Sequence, residues 1–310
     1  MNLIFFGSDD FAAIHLEYLI ERGYKIPVCV THPDRQKGRG MKDFASPVKE
    51  CALRHKIPVL QPSNLRESSL IEELKAYNVQ LFIVIAYGQI LSSSFLKIPR
   101  ACALNVHASL LPKYRGAAPI NWAIINGERE TGLSIIRMTP ALDAGDILAE
   151  ETIAITPQMT AVELRAKMMA IGPGMLDRAI QLIEDKKAKF IAQDKTKVTY
   201  APKLTKEMGA IDWKKGAKNI HGLVRGLLPW PSAYTHYQGK ILKILSSEVV
   251  GEGARQEPGT LIELTKNGFV IATSDKGLLV KKVHLQASKP MDASSFVNGH
   301  RLQVGFNFRV

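Results

Sequence analysis

The sequence predicts an α/β protein in which a doubly wound, mostly parallel β-sheet is followed by a smaller β-barrel. Two patterns lead to this prediction. In the first two thirds of the chain, short apolar runs alternate with segments of helical spacing, as expected for parallel strands joined by crossover helices. In the last third, short apolar runs are separated mostly by glycines, which is typical of a small barrel. A length of 310 residues also favours two domains over one.

Each element of the first part is predicted from a local pattern. A continuous apolar run bounded by turn residues indicates a buried strand, and apolar residues three and four positions apart indicate a helix. Asp9 or Asp10 can cap the amino end of the first helix. The strands expected are 3–7, 26–31, 58–60, 81–86, 101–107, 133–138 and 147–155, and the helices are 11–22, 48–55, 69–77, 118–125 and 160–185.

The domain boundary is predicted from a change in composition. Residues 191–206 are polar, rich in lysine and contain a proline, which indicates a linker on the surface. We therefore expect a first domain over residues 1–190 and a second over residues 207–310. In the second, a helix at 217–225 should precede strands at 233–246, 259–264, 269–273 and 278–285. An oligonucleotide-binding (OB) type of barrel is the simplest match, and a purely structural barrel would show the same pattern.

The net charge of +12 is concentrated in the last third of the chain. Residues 206–310 carry 15 basic and 8 acidic side chains, so they contribute +7 of the total. An excess of this size suits contact with a phosphate backbone, and ordinary solvated lysines would give the same count. The basic barrel domain is therefore one expected contact for a nucleic acid.

Membrane insertion and secretion are not predicted. The longest uninterrupted apolar run, residues 81–87, is far shorter than the roughly 18 residues that suggest a membrane span. The first ten residues contain no basic leader, and Asp9 and Asp10 arrive too early for a secretory signal. We therefore expect a cytoplasmic protein.

Two common kinds of site are disfavoured. The first turn between a strand and a helix has one glycine, Gly7, where a dinucleotide fingerprint needs three, so NAD binding is not expected. Cys29, Cys51 and Cys102 have no CxxC spacing and lie in apolar stretches. Buried thiols are therefore expected in preference to a disulfide or a metal site.

A candidate active site follows from polar residues at the end of a buried strand. Asn105 and His107 are two positions apart, so they point to the same face at the carboxyl end, where open α/β sheets bind ligands. Asp143 lies in a turn between two later strands, where an aspartate by itself would usually cap the backbone. Together, an amide, an imidazole and a carboxylate are what acyl transfer to an amine requires, without a serine or cysteine nucleophile.

These residues resemble the 10-formyltetrahydrofolate-dependent formyltransferases. The family signature is an Asn-x-His pair followed by Ser-Leu-Leu-Pro and Arg-Gly, with a downstream Asp-x-Gly-Asp turn. The chain departs from the family's usual Gly-Thr-Pro and Lys-Glu-Glu at residues 7–9 and 206–208, outside the trio. The matching segments are 105–107, 109–112, 115–116 and 143–146, with further likeness at 6–8, 11–12, 86–91, 200–204, 211–213 and 229–231.

The resemblance implies a fold, a cosubstrate and a set of site residues. It implies a Rossmann-like catalytic domain followed by an OB-like barrel, and a formyl donor, 10-formyltetrahydrofolate, with no metal. Asn105, His107 and Asp143 would be catalytic. The residues that would line the folate pocket are Ser109, Leu110, Leu111, Pro112, Ile90 and Leu91. The same apolar residues would also suit an ordinary core.

A glycine-rich basic loop follows the second strand. Residues 32–43 are too long for a simple connection, and we expect this loop to be mobile until it meets a polyanion. Its basic residues are Arg35, Lys37, Arg39 and Lys42. The resemblance implies that they engage the acceptor arm of a tRNA, and a solvated surface loop is the alternative.

The acceptor of the formyl group is the main question that the sequence leaves open. The resemblance implies initiator methionyl-tRNA as the partner, with no obligate protein partner and no membrane. A small amine acceptor, such as glycinamide ribonucleotide or a nucleotide-linked amino sugar, would use the same Asn105, His107 and Asp143. A non-catalytic RNA-binding protein is a further alternative, against which the intact trio argues.

Overall fold

Residues 1–37, 42–65, 68–251 and 256–308 are described by a computed structural model, in which the chain divides into two units. Unit 1 comprises Met1–Ala117, Gly132–Ile153 and Ala166–Ala201. Unit 2 comprises Ala118–Thr131, Ala154–Arg165 and the chain from Pro202 onward. Both units therefore contain segments from the first two thirds of the chain.

Strands and helices alternate through the first 201 residues. The strands are β1 (Leu3–Gly7), β2 (Cys29–Val30), β3 (Arg35–Lys37), β4 (Lys42–Phe44), β5 (Val59–Leu60), β6 (Leu81–Ile85), β7 (Cys102–His107), β8 (Arg115–Gly116), β9 (Glu130–Arg137), β10 (Ile147–Ala154) and β11 (Tyr200–Ala201). The helices are α1 (Asp10–Glu21), α2 (Pro47–Arg54), α3 (Ser68–Ala76), α4 (Ser93–Leu96), α5 (Pro119–Ile125) and α6 (Ala161–Glu184).

Seven of these strands form the main sheet, in the order β10-β9-β7-β6-β1-β2-β5. Neighbouring strands are parallel from β7 to β5, and β9 runs antiparallel to β7. The strand order reverses between β1 and β6, which is the switch point of a doubly wound sheet. The prediction of a doubly wound, mostly parallel sheet is confirmed.

Apolar side chains explain why these strands are central. All five residues of β1 and of β6 are buried, so both faces of the sheet are covered, as parallel sheets require. Phe6 packs against Phe82 and Tyr87 within one core cluster. The helix after β1 begins at Asp10, one residue before the predicted start. Asp9, one of the two predicted caps, accepts a hydrogen bond from the Ala12 backbone N–H at 2.9 Å.

The longest helix, α6, has 24 residues and includes Pro173. It buries Met168, Leu176 and Ile180, whose spacing of four and eight places them along one side of the helix. Its exposed positions include Arg178, which pairs with Glu151. Over the described ranges, no helix combines the length and the apolar character that crossing a membrane requires.

Unit 2 is built around an antiparallel sheet. Its strands are β12 (Ala233–Tyr237), β13 (Lys240–Val250), β14 (Leu261–Thr265), β15 (Gly268–Ala272), β16 (Gly277–Leu285) and β17 (Met291–Asp292), and its later helices are α7 (Ala217–Gly226) and α8 (Ala293–His300). The order is β12-β13-β16-β15-β14, with β17 beside β16. The core includes Trp213, Phe269, Phe296 and Phe308. Among the strands described, no pairing joins β12 to β14, so the sheet does not close into the expected barrel.

Two short hairpins were not predicted. The strand expected over residues 233–246 is two strands, because Gln238 and Gly239 have φ angles of 47° and 76° and make a tight turn after Tyr237. The basic loop contains a strand on each side, and β3 pairs with β4 in antiparallel register. Arg39, in the same loop, lies outside the described residues.

Candidate active site

The three predicted catalytic side chains come from two parts of unit 1. Asn105 and His107 lie on β7, and Asp143 lies in the turn between β9 and β10. The structure brings the last two together, with His107 Nδ1 3.6 Å from Asp143 Oδ2. Both side chains are largely buried, at 7% and 12% exposed. Water therefore screens the attraction between them only weakly.

A backbone carbonyl fixes the orientation of the imidazole. His107 Nε2 donates a hydrogen bond to the carbonyl oxygen of Tyr114 at 2.9 Å, so Nε2 carries a hydrogen. The other ring nitrogen, Nδ1, faces the carboxylate at a distance too long for a normal hydrogen bond. Nδ1 is therefore the ring nitrogen available to a substrate, and the Asp143 carboxylate lies beside it.

Several groups hold the Asp143 turn in place. Asp143 Oδ2 accepts a hydrogen bond from the Gly116 N–H at 2.9 Å. Asp143 itself has a φ of 48°, in the left-handed region that aspartate tolerates better than most residues. Gly145 lies so close to β9 that a Cβ there would be 1.7 Å from the Arg137 carbonyl oxygen. This position of the Asp-Ala-Gly turn therefore requires glycine.

Gln193 contributes to the site and was missed by the sequence analysis. Its side-chain amide donates to the carbonyl oxygens of Asp143 at 2.8 Å and Gly145 at 2.7 Å. Its own carbonyl accepts from Arg115 Nε at 3.1 Å and from the terminal guanidinium nitrogen at 2.6 Å. Gln193 lies in the segment predicted to be a linker, and no local pattern distinguishes it. The fold alone brings it 50 positions back to the Asp143 turn.

The side-chain oxygen of Asn105 is an unused hydrogen-bond acceptor that suits a polar group of a substrate. Asn105 Oδ1 is buried and has no hydrogen-bond partner. Buried polar atoms in proteins nearly always have a partner, so an unsatisfied one beside candidate catalytic groups suits a polar group of a substrate. The amide has both a donor and an acceptor to offer.

The Ser109–Pro112 segment is a loop held by hydrogen bonds. The Ser109 hydroxyl donates to the Lys113 carbonyl at 2.6 Å. On the neighbouring strand, the buried Ser134 hydroxyl accepts from the Leu111 N–H at 3.0 Å and donates to the Ser109 carbonyl at 2.7 Å. Leu111 is buried with Ile136 and Ile147, while Leu110 and Pro112 are partly exposed. The loop therefore presents a rigid edge directly after His107.

Ile90 and Leu91, two of the apolar residues predicted to line the folate pocket, differ in exposure. Ile90 is 70% exposed, whereas Leu91 is 1% exposed and belongs to the core cluster that includes Phe6 and Tyr87. Only Ile90 offers its side chain to a ligand in this structure. Leu91 packs beneath the loop that carries it.

An open pocket of about 360 Å³ adjoins the Asp143 turn. Its walls include Arg115 and its hydrogen-bond partner Gln193. They also include two further charged side chains, Asp146 and Lys195. The full lining is Arg115, Ala144, Asp146, Ala192, Gln193, Lys195, Val198 and Tyr200. A polar ligand of small size can therefore approach the catalytic turn from this side.

The thiols are unsuited to nucleophilic catalysis. Burial raises the pKa of the Cys102 thiol to about 11 and that of Cys51 to about 12, and it also raises the pKa of Cys29. The reactive form of cysteine is the thiolate, which is scarce at neutral pH under these conditions. Cys29, Cys51 and Cys102 form no disulfide, and Cys29 and Cys51 are buried while Cys102 is partly buried.

The basic residues of the loop are described only by their backbone. Arg35 and Lys37 lie in β3, and Lys42 lies in β4, where it is the register partner of Lys37. The hairpin therefore brings three of the four predicted tRNA contacts into one short element. Arg39 is outside the described residues.

Comparisons with known proteins agree with the motifs. Residues 1–180 match the family model described as formyl transferase, and residues 203–301 match that of its C-terminal domain. The methionyl-tRNA formyltransferase of Agathobacter rectalis is 44% identical over 308 residues, which cover 99% of each chain. That of Clostridioides difficile is 41% identical over 305 residues, or 98% of this chain and 99% of that protein.

A solved structure shares the fold at lower identity. The N-formyltransferase from Helicobacter canadensis, in complex with folinic acid and dTDP-3-aminofucose, superposes with a TM-score of 0.68. It is 20% identical, and the match covers 90% of this chain and 98% of that one. This likeness concerns the fold and not the acceptor.

Proposed function

The chain belongs to the formyl transferase family, and from this premise we propose that it transfers a formyl group from 10-formyltetrahydrofolate to initiator methionyl-tRNA. The acceptor atom is the free amino group of the methionyl residue, and the product is formylmethionyl-tRNA for the start of translation in the cytoplasm. The observation that carries the proposal is the distance of 3.6 Å between the Asp143 carboxylate and His107 Nδ1. His107 lies on the same strand as Asn105.

The reaction begins with attack of the amine on the formyl carbon. The new C–N bond turns the formyl oxygen into an oxyanion, which needs hydrogen-bond donors in fixed positions. We assign this role to the Asn105 side-chain NH2 and to His107 Nδ1–H. The Asn105 Oδ1, which has no partner within the protein, accepts a hydrogen from the attacking amine.

The intermediate then collapses and the bond between the formyl carbon and the folate nitrogen breaks. The amine must lose a proton, and the departing folate nitrogen must gain one, so no net proton is consumed. The Asp143 carboxylate stabilises positive charge on His107 while these protons move. The Tyr114 carbonyl and the Gly116 N–H keep the two side chains in this relation.

The folate is proposed to bind along the Ser109–Pro112 loop and Ile90. Backbone groups can read the polar edge of a pterin, and partly exposed Leu110, Pro112 and Ile90 can contact its flat face. The pocket beside the Asp143 turn is proposed to admit the acceptor. The reaction requires no metal.

Replacement of the imidazole tests the assignment of the catalytic residues. We expect His107→Ala to retain folate binding and to lose about a hundredfold to a thousandfold in turnover, because one oxyanion donor is removed. Turnover is measured with methionyl-tRNA as acceptor, and folate binding by equilibrium titration. His236→Ala, at a partly buried histidine on β12 of unit 2, is the matched control. Unchanged turnover in His107→Ala would contradict the assignment.

The identity of the acceptor needs a separate measurement. Purified protein is given 10-formyltetrahydrofolate with either methionyl-tRNA, glycinamide ribonucleotide or a nucleotide-linked amino sugar. We expect formylation of methionyl-tRNA alone. Efficient formylation of a small amine would overturn the proposed acceptor and leave the catalytic trio intact.

A further inference from the structure

A group of three potential metal ligands joins α1 to α2 in unit 1. Glu17 lies on α1 and Cys51 on α2, and His55, four positions after Cys51, is the C-cap of α2. This spacing puts a thiol and an imidazole on one face of a helix. One donor atom from each residue lies within 4.8 Å of the other two.

The contacts within the group resemble those of a coordination site. Cys51 Sγ is 3.3 Å from Glu17 Oε2, and His55 Nε2 is 2.5 Å from Glu17 Oε1. Around a tetrahedral zinc ion, with bonds of about 2.0 Å to nitrogen and oxygen and 2.3 Å to sulfur, ligand atoms lie about 3.3 to 3.5 Å apart. The distance from the sulfur to Oε2 is close to this range. The imidazole instead approaches Oε1, so the imidazole and the carboxylate must shift before one oxygen can bind the ion together with both.

The three side chains differ in exposure, which leaves a path by which an ion can enter from solvent. Cys51 is buried and forms the floor, while the Glu17 and His55 side chains are each 31% exposed at the rim. Three protein ligands leave a fourth position open to water. A thiolate combined with an imidazole and a carboxylate favours Zn²⁺ over Mg²⁺ and Ca²⁺, which prefer oxygen ligands.

We propose that Glu17, Cys51 and His55 bind one Zn²⁺ ion, with water as the fourth ligand, and that this ion fastens α1 to α2. The site is separate from the formyl-transfer residues and takes no part in that reaction. Its effect is structural, because it replaces hydrogen bonds between two helices on one face of the main sheet with bonds to a shared metal.

Binding releases protons and displaces one ion pair. The Cys51 thiol becomes a thiolate and gives its proton to solvent. His55 Nε2, which donates its hydrogen to Glu17 in the metal-free protein, loses that hydrogen to solvent or to a tautomer protonated at Nδ1, and its lone pair then binds the metal. Burial and the hydrogen bond to Glu17 raise the pKa of Cys51 to about 12, so the metal must supply the energy for this deprotonation. Among the described residues, Arg54 is the neighbouring charged group that acts on both Glu17 and Cys51.

Arg54 competes with the metal for the same carboxylate. Its guanidinium lies 2.6 Å from Glu17 Oε2, and its side chain is 62% exposed, so it can swing into solvent. A site that exists only as an ion-pair cluster would be weakened by removing this arginine. A metal site would instead be strengthened, because a competing cation is removed.

The experiment is a titration of chelator-treated, full-length protein with Co²⁺, a spectroscopic substitute for Zn²⁺. We expect one Co²⁺ per chain, a near-ultraviolet charge-transfer band from the sulfur ligand, and displacement by Zn²⁺. Cys51→Ser should lose the band, and His55→Gln should bind at least about tenfold more weakly. Arg54→Gln should bind several-fold more tightly.

Cys102→Ser is the matched control, since it removes a partly buried thiol outside the group. It should bind Co²⁺ as the original chain does. Zn²⁺ should raise the melting temperature of the original chain and of Cys102→Ser, and not that of His55→Gln, and circular dichroism with chelator present reports whether each variant folds. A sulfur band that persists in Cys51→Ser, its absence from the original chain, or equal stabilisation of all variants would overturn the proposal.

Discussion

Gln193 couples the backbone of the catalytic turn to Arg115. Its side-chain NH2 donates to two carbonyl oxygens of the Asp143 turn and its side-chain oxygen accepts twice from the guanidinium, so all four of its hydrogen-bonding positions are used within the site. Neither Gln193 nor Arg115 is assigned a contact with the reacting atoms. Gln193 is therefore a positioning residue, which acts by keeping the carboxylate next to His107.

Replacing Gln193 should lower turnover without abolishing folate binding. In Gln193→Leu the turn loses both donors, and the carboxylate can drift from the imidazole. We expect kcat to fall by about tenfold to a hundredfold, since displacements of about 1 Å have effects of this size. The KM for the folate should stay within about twofold.

The conservative variant separates positioning from a general loss of structure. Gln193→Glu can still accept from Arg115, but it cannot donate to the two carbonyls. It should therefore resemble Gln193→Leu in kcat and the original chain in melting temperature. If Gln193→Glu kept full turnover, the role assigned to the donated hydrogen bonds would be wrong.

At the scale of single residues, local spacing predicts only part of this site. Asn105 and His107 are recognisable because a strand alternates its faces every residue, so two polar positions on a buried strand share a direction. Asp143 was chosen because acyl transfer needs a carboxylate beside an amide and an imidazole, and the family motif assigns it the same role. Gln193 and the Tyr114 carbonyl could not be found, because their roles depend on contacts across the fold and not on side-chain pattern.

The first helix contains a buried histidine with a defined pH response. His15 has no exposed surface, its Nδ1–H donates to the Phe11 carbonyl at 2.7 Å, and its Nε2 is buried without a partner. On α6, Gly172 is so close that a Cβ there would lie 2.5 Å from Nε2. Burial, opposed by the hydrogen bond to Phe11, lowers the pKa of His15 from 6.5 to about 4.

This shift predicts that stability falls with acid between pH 6.5 and 4. Above pH 6.5 the ring is neutral in the folded and unfolded states and has no effect. Below it, the unfolded chain gains a proton that the folded protein cannot accept until about pH 4. The free energy of unfolding should therefore decrease by up to about 3 kcal/mol across this range on account of His15 alone.

The measurement is urea unfolding of the original chain and of His15→Leu at several values between pH 7 and pH 4. Carboxylates titrate in both proteins, so the difference between them isolates the histidine. The original chain should lose stability relative to His15→Leu as the pH falls. A constant difference over the whole range would show that His15 is protonated equally in both states.

Elements were predictable where local pattern and tertiary structure agree. β1 has the predicted bounds, and α1 starts at the predicted cap, because a continuous apolar run and a capping aspartate are sufficient signals. The β12–β13 turn was missed since Gln238 is an unusual residue at positive φ, although Gly239 beside it was a usable signal. The predicted strand over residues 26–31 is reduced to Cys29–Val30, where β2 meets its two neighbours.

At the scale of the whole molecule, features set by local sequence pattern were again predicted, and features set by contacts between distant segments were not. The alternation of strands and helices predicts a parallel sheet correctly, because crossover connections leave few other arrangements. Closure of the second sheet into a barrel depends on which edge strands meet, and no local sequence pattern encodes that. The group formed by Glu17, Cys51 and His55 was missed for a related reason, since two ligands are four apart, on α2 and at its C-cap, and the third lies on another helix.

The distribution of charge over the whole chain makes tRNA binding dependent on salt. With a net charge of +12, association with a polyanion releases counterions, and affinity falls as salt increases. We propose that the basic hairpin region supplies part of this effect through Arg35, Lys37, Arg39 and Lys42. Removing two phosphate contacts should reduce the slope of log affinity against log salt by about 2.

The double variant Arg39→Gln, Lys42→Gln tests the hairpin region directly. We expect a higher KM for methionyl-tRNA, a flatter salt dependence and unchanged folate affinity, because the region would contact phosphate and not the formyl donor. Lys56→Gln combined with Lys167→Gln removes the same charge from exposed positions elsewhere in unit 1 and serves as the control. If both double variants flattened the salt dependence equally, net charge alone would account for binding, and the loop would have no specific role.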